Sequence, residues 1–298
     1  MQYKFKAFGL NIISEFPFRA LKADEKGISD IIVKSSSILE TINGPTYKGI
    51  NIECNDSKFL LKIPNVANFL IINGNEVLIN ADPEAELREI ELFFMGSVLS
   101  VILMQRNIIP FHGSAFEKEG KAVIITGNSG AGKSTLLRYF IAQGYKAISD
   151  DVCALSVRND KVMLTPSYPS SKIWSDVMDE FDLIKKEEDQ IRPEIEKYAV
   201  SLKETFVDKD LEVASIYILK SKNNTKFKIE EIRGFGKFPA LKRNLYRPKF
   251  PEAMGKEKET FVLLNQLAQQ IQLFTLSRSN SIKYLDAFNC FAKENIIK

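Results

Sequence analysis

The stretch Gly127-Asn-Ser-Gly-Ala-Gly-Lys-Ser134 decides how the rest of the chain is interpreted. It fits the pattern G-x-x-x-x-G-K-[S/T], in which a glycine-rich loop joins a strand to a helix and holds phosphate groups. A continuous apolar run at 122–126 precedes the loop, and a run with helical spacing at 133–143 follows it. A chance match in a chain of this length occurs about once in a hundred. The sequence therefore predicts a phosphate-binding loop in an α/β domain.

The chemistry of phosphate binding explains the residue types in this loop. Glycines let backbone N–H groups approach the phosphates, and the N-terminus of the following helix adds positive potential. Lys133 would reach the β- and γ-phosphate oxygens of ATP, and the Ser134 hydroxyl would be a ligand of Mg²⁺. A glycine-rich turn without a ligand is the alternative. The residues predicted to bind the nucleotide are Gly127, Asn128, Ser129, Gly130, Ala131, Gly132, Lys133, Ser134 and Thr135.

Two carboxylates follow the next predicted strand, at Asp150 and Asp151. Neighbouring strand ends line the ligand crevice of an open α/β sheet, so we expect these side chains near the phosphates. Because side chains alternate along a strand, only one of the two can face the metal directly, and the other is free to orient or deprotonate a nucleophile. A turn or cap pair is the alternative. His112 is the only histidine, and it lies just before the hairpin that leads into the loop.

Three segments together resemble the HPr kinase/phosphorylase family: His112-Gly113, 127–134 and Asp150-Asp151. The spacings of 21 residues from His112 to Lys133 and 18 from Lys133 to Asp151 carry the resemblance. The resemblance implies that Asp151 is the base on the acceptor serine. It also implies that Asp150 and Ser134 are on the metal side and that His112 orients or shares a proton. Its cofactors would be ATP and Mg²⁺, and its catalytic residues His112, Lys133, Asp150 and Asp151.

Over most of its length the chain is similar to HPr-kinase-related proteins that phosphorylate a serine of lasso-peptide precursors, typically at the C-terminus. The similarity extends to Phe8-Gly9-Leu10 and to 111–151, 166–174 and 261–291. It implies an α/β fold with a P-loop-containing, HPr-kinase-like core and a β-rich N-terminal region. Two differences concern the HPr enzymes. Thr135 replaces their usual glutamate, and the E-x-R-G sequence at 231–234 lies too far downstream, which argues for the kinase reaction and against its reversal.

The pattern of apolar residues predicts two parts, a β-rich region at 1–106 and a kinase domain at 107–298. The first would end in one apolar helix over 83–106, with Asp82 as N-cap and Pro83 at the first position. The segment 176–211 is crowded with both charge signs, which predicts a solvated helix or loop, with a mobile lid or a substrate-docking segment as the alternative. A basic and aromatic stretch at 233–250 predicts a core helix with solvated cations or a face for an acidic peptide.

Composition restricts the partners and the location. The net charge of +3 is too small to predict nucleic-acid binding, and the longest apolar stretch is too short for a membrane span. Three separated cysteines, Cys54, Cys153 and Cys290, predict buried thiols in a reducing compartment, and a cytoplasmic location follows as the default. Self-association into a homo-oligomer stays open.

The function predicted from the sequence is an ATP-dependent kinase that transfers the γ-phosphoryl group to a serine hydroxyl of a peptide. The resemblance implies the C-terminal serine of a lasso-peptide precursor as the acceptor. Three alternatives stay open: a regulatory ATPase that switches conformation, an HPr-type protein serine kinase, and a small-molecule kinase or phosphotransferase related to the carboxykinases.

Overall fold

The computed structural model describes residues 2–24, 27–192, 194–223 and 226–297. The first part of the chain forms strands, as its alternating apolar and polar side chains predict. The strands are β1 (Tyr3–Ala7), β2 (Leu10–Ser14), β3 (Lys22–Ala23), β4 (Ile31–Ser35), β5 (Tyr47–Lys48), β6 (Ile52–Cys54), β7 (Lys58–Ile63), β8 (Ala67–Ile72) and β9 (Glu76–Ala81). They form one sheet in the order β3-β1-β2-β4-β9-β8-β7-β6-β5. Asn73 and Gly74, both with positive φ, turn β8 into β9 as the sequence predicts.

The predicted single helix over 83–106 is wrong in its start and its continuity. The Asp82 carboxylate accepts a hydrogen bond from the Glu84 N–H (3.0 Å), which closes a turn in place of capping a helix. The helical residues are α1 (Leu87–Phe93), one π-helical turn (Phe94–Val98) and α2 (Leu99–Gln105). The π turn and α2 are almost entirely buried, so this segment packs the N-terminal sheet onto the rest of the chain.

Strands and helices alternate through the remainder of the described residues. In chain order these elements are β10 (Ile109–Lys118), β11 (Lys121–Gly127), α3 (Lys133–Ala142), β12 (Ala147–Ser149), β13 (Val152–Arg158), β14 (Lys161–Thr165), β15 (Ser170–Trp174), α4 (Ser175–Glu180), β16 (Gln190–Arg192), β17 (Ile195–Ser201), β18 (Leu211–Lys222), β19 (Lys228–Glu231), α5 (Lys237–Lys242), α6 (Phe250–Ala253), α7 (Glu257–Gln270), β20 (Gln272–Ser279) and α8 (Leu285–Ile296).

The strand–helix–strand unit around the glycine-rich loop is β11, α3 and β12. The two strands run in the same direction, as predicted, but β10 lies between them and pairs antiparallel with both. The parallel neighbour of β11 is β18, which in turn pairs in parallel with β20. Long-range pairing with β11, β12 and β13 makes β10 ten residues long. The fold is therefore mixed α/β with two large sheets.

A third, small sheet corrects the prediction for 176–211. The chain there forms α4 and the strands β16 and β17, and β17 pairs antiparallel with β15 to give the order β15-β17-β16. Half-buried side chains such as Ile195, Tyr198 and Val200 lie between the charged residues of this segment and stabilise the strands. The strand β20 is also absent from the sequence prediction, because its apolar residues continue the pattern of the preceding helix.

One apolar core joins the N-terminal sheet to later parts of the chain. Its buried members include residues of β7, α1 and α2 together with Val152, Ala154 and Phe250. The ring centroids of Phe59 and Phe250 are 4.9 Å apart, and the Cys54 thiol donates a hydrogen bond to the Ala253 carbonyl (2.9 Å). Because these contacts cross residue 106, the two predicted parts share a core.

The predicted burial of all three thiols holds for Cys54 and Cys153 and is wrong for Cys290, which lies exposed on the surface of α8. In the basic stretch 233–250, Leu241 of α5 is buried while Lys242 is exposed, as expected of a core helix with solvated cations. Within the described residues, every helix is either too short or too polar to cross a bilayer.

Candidate active site

The glycine-rich loop runs from the end of β11 to the first residue of α3. Gly127, Gly130 and Gly132 all have positive φ, which only glycine adopts without strain. Gly127 is also confined by space, because a Cβ there would lie 2.5 Å from the Leu219 carbonyl oxygen of β18. The glycines predicted from the motif thus have a geometric reason in this fold.

Lys133 lies across the loop that it terminates. Its ammonium donates hydrogen bonds to the carbonyl oxygens of Gly127 and Asn128 (2.9 Å each), and the side chain is buried. Burial lowers the pKa of Lys133, while Asp150 and Asp151 oppose that shift. The arrangement holds a cation where the motif expects phosphate oxygens.

Asp150 is a buried carboxylate at the end of β12, only 1% exposed. Its Oδ1 accepts hydrogen bonds from the hydroxyls of Ser134 (3.0 Å) and Ser114 (2.5 Å), and its Oδ2 accepts one from Ser171. The structure thus brings the two predicted metal-side residues, Ser134 and Asp150, into direct contact.

The chemistry of this pair fits Mg²⁺. A hydroxyl and one carboxylate are hard oxygen ligands, and Mg²⁺ in nucleotide sites takes one or two carboxylates plus phosphate oxygens. No cluster of three or more acidic, histidine or cysteine side chains occurs among the described residues that would hold a metal without a nucleotide. Ser134 and Asp150 would therefore hold the ion together with a bound triphosphate.

Asp151 faces a different group of side chains. Its Oδ2 lies 3.0 Å from the Lys172 ammonium, and its Oδ1 lies 3.9 Å from Nε2 of His112. Burial by itself would raise the pKa of Asp151, but Lys172 and His112 outweigh it and lower the pKa to about 2. The backbone is left-handed here (φ +78°), which turns the two adjacent carboxylates towards different partners.

His112 is held at the end of the β10 segment that pairs with β13. Its N–H donates to the Asn244 carbonyl (3.0 Å), and its own carbonyl accepts from the Thr126 hydroxyl (2.7 Å). Burial and the nearby Lys133 lower the pKa of His112 below its ordinary value, against the attraction of the two aspartates. The imidazole is therefore predominantly neutral near pH 7, so it can accept a hydrogen bond or a proton.

Three basic side chains in the cleft are not predicted by any motif in the sequence. Lys172 of β15 and Lys197 of β17 come from the small sheet, and Arg278 comes from β20. Nε of Arg278 donates to the Ala131 carbonyl (2.8 Å), so this guanidinium lies against the loop. Each is an ordinary cation in a stretch without a motif, and only the packing of distant strands brings it to the site.

The predicted nucleotide-binding residues line two cavities, which share Ser129 and Gly130 of the loop. The smaller, about 250 Å³, lies between the loop, the two aspartates and the small sheet, and includes Ser129 and Thr135. The larger, about 640 Å³, lies behind the loop against β18 and is lined by Asn128, Lys220 and Arg243. The first has the groups for the terminal phosphates and the second has room for the rest of a nucleotide.

Comparisons with known proteins give little further information. The sequence matches no family model and no curated protein. Among solved structures it is similar to one described as the Hpr(Ser) kinase/phosphatase from Coxiella burnetii, at 13% identity and a TM-score of 0.31. The match covers 63% of this chain and 96% of that one. A similarity this distant establishes neither the fold nor the activity of this chain.

Proposed function

We propose that the protein is an ATP-dependent kinase that transfers the γ-phosphoryl group to a serine hydroxyl of a peptide. One observation carries the proposal: buried Asp150 accepts a hydrogen bond from Ser134 of the loop, and ionised Asp151 stands beside it. A site with a metal-side carboxylate and a second carboxylate free of it has the two functions that phosphoryl transfer to a hydroxyl requires.

The chain's own groups perform most of the work in this reaction, which depends on alignment and charge neutralisation. The loop N–H groups and Lys133 would bind the phosphates, and Ser134 with Asp150 would hold Mg²⁺, which neutralises phosphate charge when bound. Asp151 would orient the serine hydroxyl and accept its proton. A carboxylate of low pKa suffices if proton transfer is late in a loose transition state.

The acceptor that the sequence resemblance implies is the C-terminal serine of a lasso-peptide precursor, and an HPr protein is the second candidate. Intact-mass spectrometry tests both. The protein, Mg²⁺ and ATP are incubated with serine-ended precursor peptides and with an HPr protein, and a gain of one phosphoryl mass is sought. A gain on HPr alone would assign the HPr-type kinase.

Two variants connect transfer with the site. Lys133→Ala removes the cation over the loop and should abolish phosphorylation. Asp151→Asn should retain nucleotide binding and lose transfer, since asparagine keeps the shape and tolerates the left-handed backbone but cannot take a proton. Wild-type transfer by Asp151→Asn would contradict the base assignment. ATP hydrolysis with no transfer to any acceptor would favour a regulatory ATPase.

A further inference from the structure

A third cavity, of about 590 Å³, adjoins the candidate active site. It lies between the segment Arg19–Ala20, the helix α1 and the small sheet, and its volume is typical of ligand-binding pockets. Lys172, the partner of Asp151, lines both this cavity and the cleft in front of the loop. The two spaces therefore share Lys172, whose ammonium contacts Asp151, where an acceptor hydroxyl has to arrive.

Strand β15 connects the two spaces. It is an edge strand, because it pairs only with β17 in the small sheet. Ser170 and Lys172 line the cavity of about 590 Å³, and Lys172, Ile173 and Trp174 line the cleft, so one strand extends from one space into the other. An extended polypeptide laid along this strand would cross the Lys172–Asp151 pair.

A buried polar atom at the cavity also lacks a partner. Tyr168 lines the cavity and is 2% exposed, and its hydroxyl has no hydrogen bond within the part of the chain that is described. Native proteins rarely leave such a group unsatisfied. Glu91, half-buried on α1, lines the same wall and accepts a hydrogen bond from the Ala20 N–H (2.8 Å). Of the two, the half-buried Glu91 carboxylate is the group that an occupant of the cavity can reach.

The charge of the cavity wall favours a basic occupant. Arg88 is paired with Glu86, and Lys172 is paired with Asp151. The remaining charged residues that line the cavity are the cations Arg19 and Lys203 and the four carboxylates of Glu91, Glu187, Glu188 and Asp189. Negative charge is thus in excess, concentrated at 187–189 on the rim.

We propose that this cavity binds the acceptor: an extended peptide lies along β15, with its serine at Asp151 and a lysine or arginine against residues 187–189. The inference rests on the kinase function proposed above. In the reaction the serine Oγ forms a bond to the γ-phosphorus, the bond from that phosphorus to the β–γ bridging oxygen breaks, ADP leaves, and the serine proton passes to Asp151.

Two peptide libraries phosphorylated with labelled ATP test the proposal: nonapeptides with the serine at the centre and matched nonapeptides with the serine at the C-terminus. Each flanking position carries arginine in one set and glutamate in a matched set. We expect the arginine peptides to be phosphorylated with a kcat/KM about tenfold higher at one or two positions, a preference of about 1.4 kcal/mol. No preference, or a preference for glutamate, overturns the inference while the kinase function stands.

Two variants locate the preference. The double variant Glu187→Lys/Glu188→Lys should remove or reverse it, and Ala199→Trp should fill the cavity and raise KM for every peptide. Both should bind the fluorescent nucleotide mant-ATP as the wild type does, because neither position touches the loop. Val262→Trp and the double variant Glu257→Lys/Glu259→Lys, which place the same changes on α7, are the controls.

These outcomes distinguish a failure of the acceptor-site inference from a failure of the proposed kinase function. Unchanged peptide kinetics in both cavity variants would place the acceptor elsewhere and leave the kinase intact. Phosphorylation of free hydroxyl metabolites but of no peptide would assign the cavity to a small molecule and overturn the peptide proposal. If the wild type fails to bind mant-ATP, the kinase function falls first and the inference falls with it.

Discussion

Asp151 and Asp150 are neighbours in sequence with different environments. Asp150 is surrounded by the hydroxyls of Ser114, Ser134 and Ser171, whereas Asp151 faces Lys172 and His112. Hydroxyl donors around one carboxylate fit a metal ligand, and a charged partner beside the other keeps it ionised. The left-handed backbone of Asp151 turns the two carboxylates towards different partners. One conformational feature therefore gives the two aspartates different chemical environments.

The first prediction concerns acid stability. Because the pKa of Asp151 lies at about 2 in the folded chain and near 3.8 in the unfolded chain, its ionised form stabilises the fold above about pH 4. This contribution, about 2 kcal/mol, is lost as the pH falls from 4 towards 2. In urea titrations Asp151→Asn should be less stable than the wild type by that amount at about pH 6, and the difference should shrink at about pH 3.

Asp160→Asn is the control for this experiment, since Asp160 also has a left-handed backbone but lies in the exposed turn between β13 and β14. Its effect on unfolding should be small and independent of pH. A stability difference for Asp151→Asn that stays constant down to about pH 3 would contradict the ion-pair explanation.

The second prediction compares two glycines of the loop. Gly127→Ala places a methyl group 2.5 Å from the Leu219 carbonyl oxygen at φ +144°, so we expect a loss of about 3 kcal/mol in unfolding free energy and no mant-ATP binding. The methyl group added by Gly130→Ala has no atom within 4 Å, and the backbone there has φ +76°. This variant should therefore lose only about 1 kcal/mol of unfolding free energy, from backbone strain. Thermal unfolding and nucleotide titration of both variants, in parallel, decide between steric and conformational effects.

At the scale of elements, four separate units form the site. The strand β11 and helix α3 supply the loop, β10 and β12 supply His112 and the aspartates, β15 and β17 supply two lysines, and β20 supplies Arg278. Lys172 and Lys197 lie within β15 and β17 and His112 lies within β10, so the interiors of paired strands as well as their ends contribute side chains to the site.

The third prediction concerns β20. Arg278→Met keeps the apolar stem of the side chain but removes the guanidinium that donates to the Ala131 carbonyl beside the loop. Loss of one charged hydrogen bond should weaken mant-ATP binding about tenfold. Arg158→Met, which removes an exposed partner of Asp210, is the matched control and should bind the nucleotide normally. Equal affinities of the two variants would remove Arg278 from the site.

At the scale of the whole molecule, the N-terminal sheet and the part that carries the loop share one core. Phe59 packs on Phe250, and the Cys54 thiol donates to the Ala253 carbonyl, so Cys54 cannot reach solvent while these parts remain packed. The boundary after residue 106 stays a prediction about sequence organisation, and we expect the two parts to unfold together.

The fourth prediction uses the three thiols. In the folded protein a thiol reagent such as DTNB should react quickly with one thiol, and Cys290→Ser should abolish that fast phase. Cys54 and Cys153 should react only on unfolding, because burial protects both and raises the pKa of Cys54 to about 11. With increasing urea both should become reactive at one midpoint. Separate midpoints would show that the N-terminal part unfolds alone.

Local patterns in the sequence were sufficient for the loop, for the strand and helix beside it, and for the turn at Asn73–Gly74. In each case the residues that determine the structure are neighbours in the sequence. Their spacing along the chain therefore predicts their arrangement in the structure. The sequence also predicts that Ser134 and one of the two neighbouring aspartates lie close together, since they follow ends of elements next to the loop. The family resemblance assigns that place to Asp150. The contact between Ser134 and Asp150 at 3.0 Å follows that expectation.

Other features depended on tertiary structure. The start of α1 at Leu87, the small sheet within a charged segment, the strand β20 and the exposure of Cys290 all depart from the local pattern. Lys172 and Arg278 reach the site only because strands far apart in sequence pack around the same cleft. The sequence around Lys172 and the sequence around Arg278 do not differ from that around an ordinary solvent-exposed lysine or arginine. The motif alone predicts where phosphate would bind, and long-range packing decides which charges surround the loop and which cavity the proposed acceptor would enter.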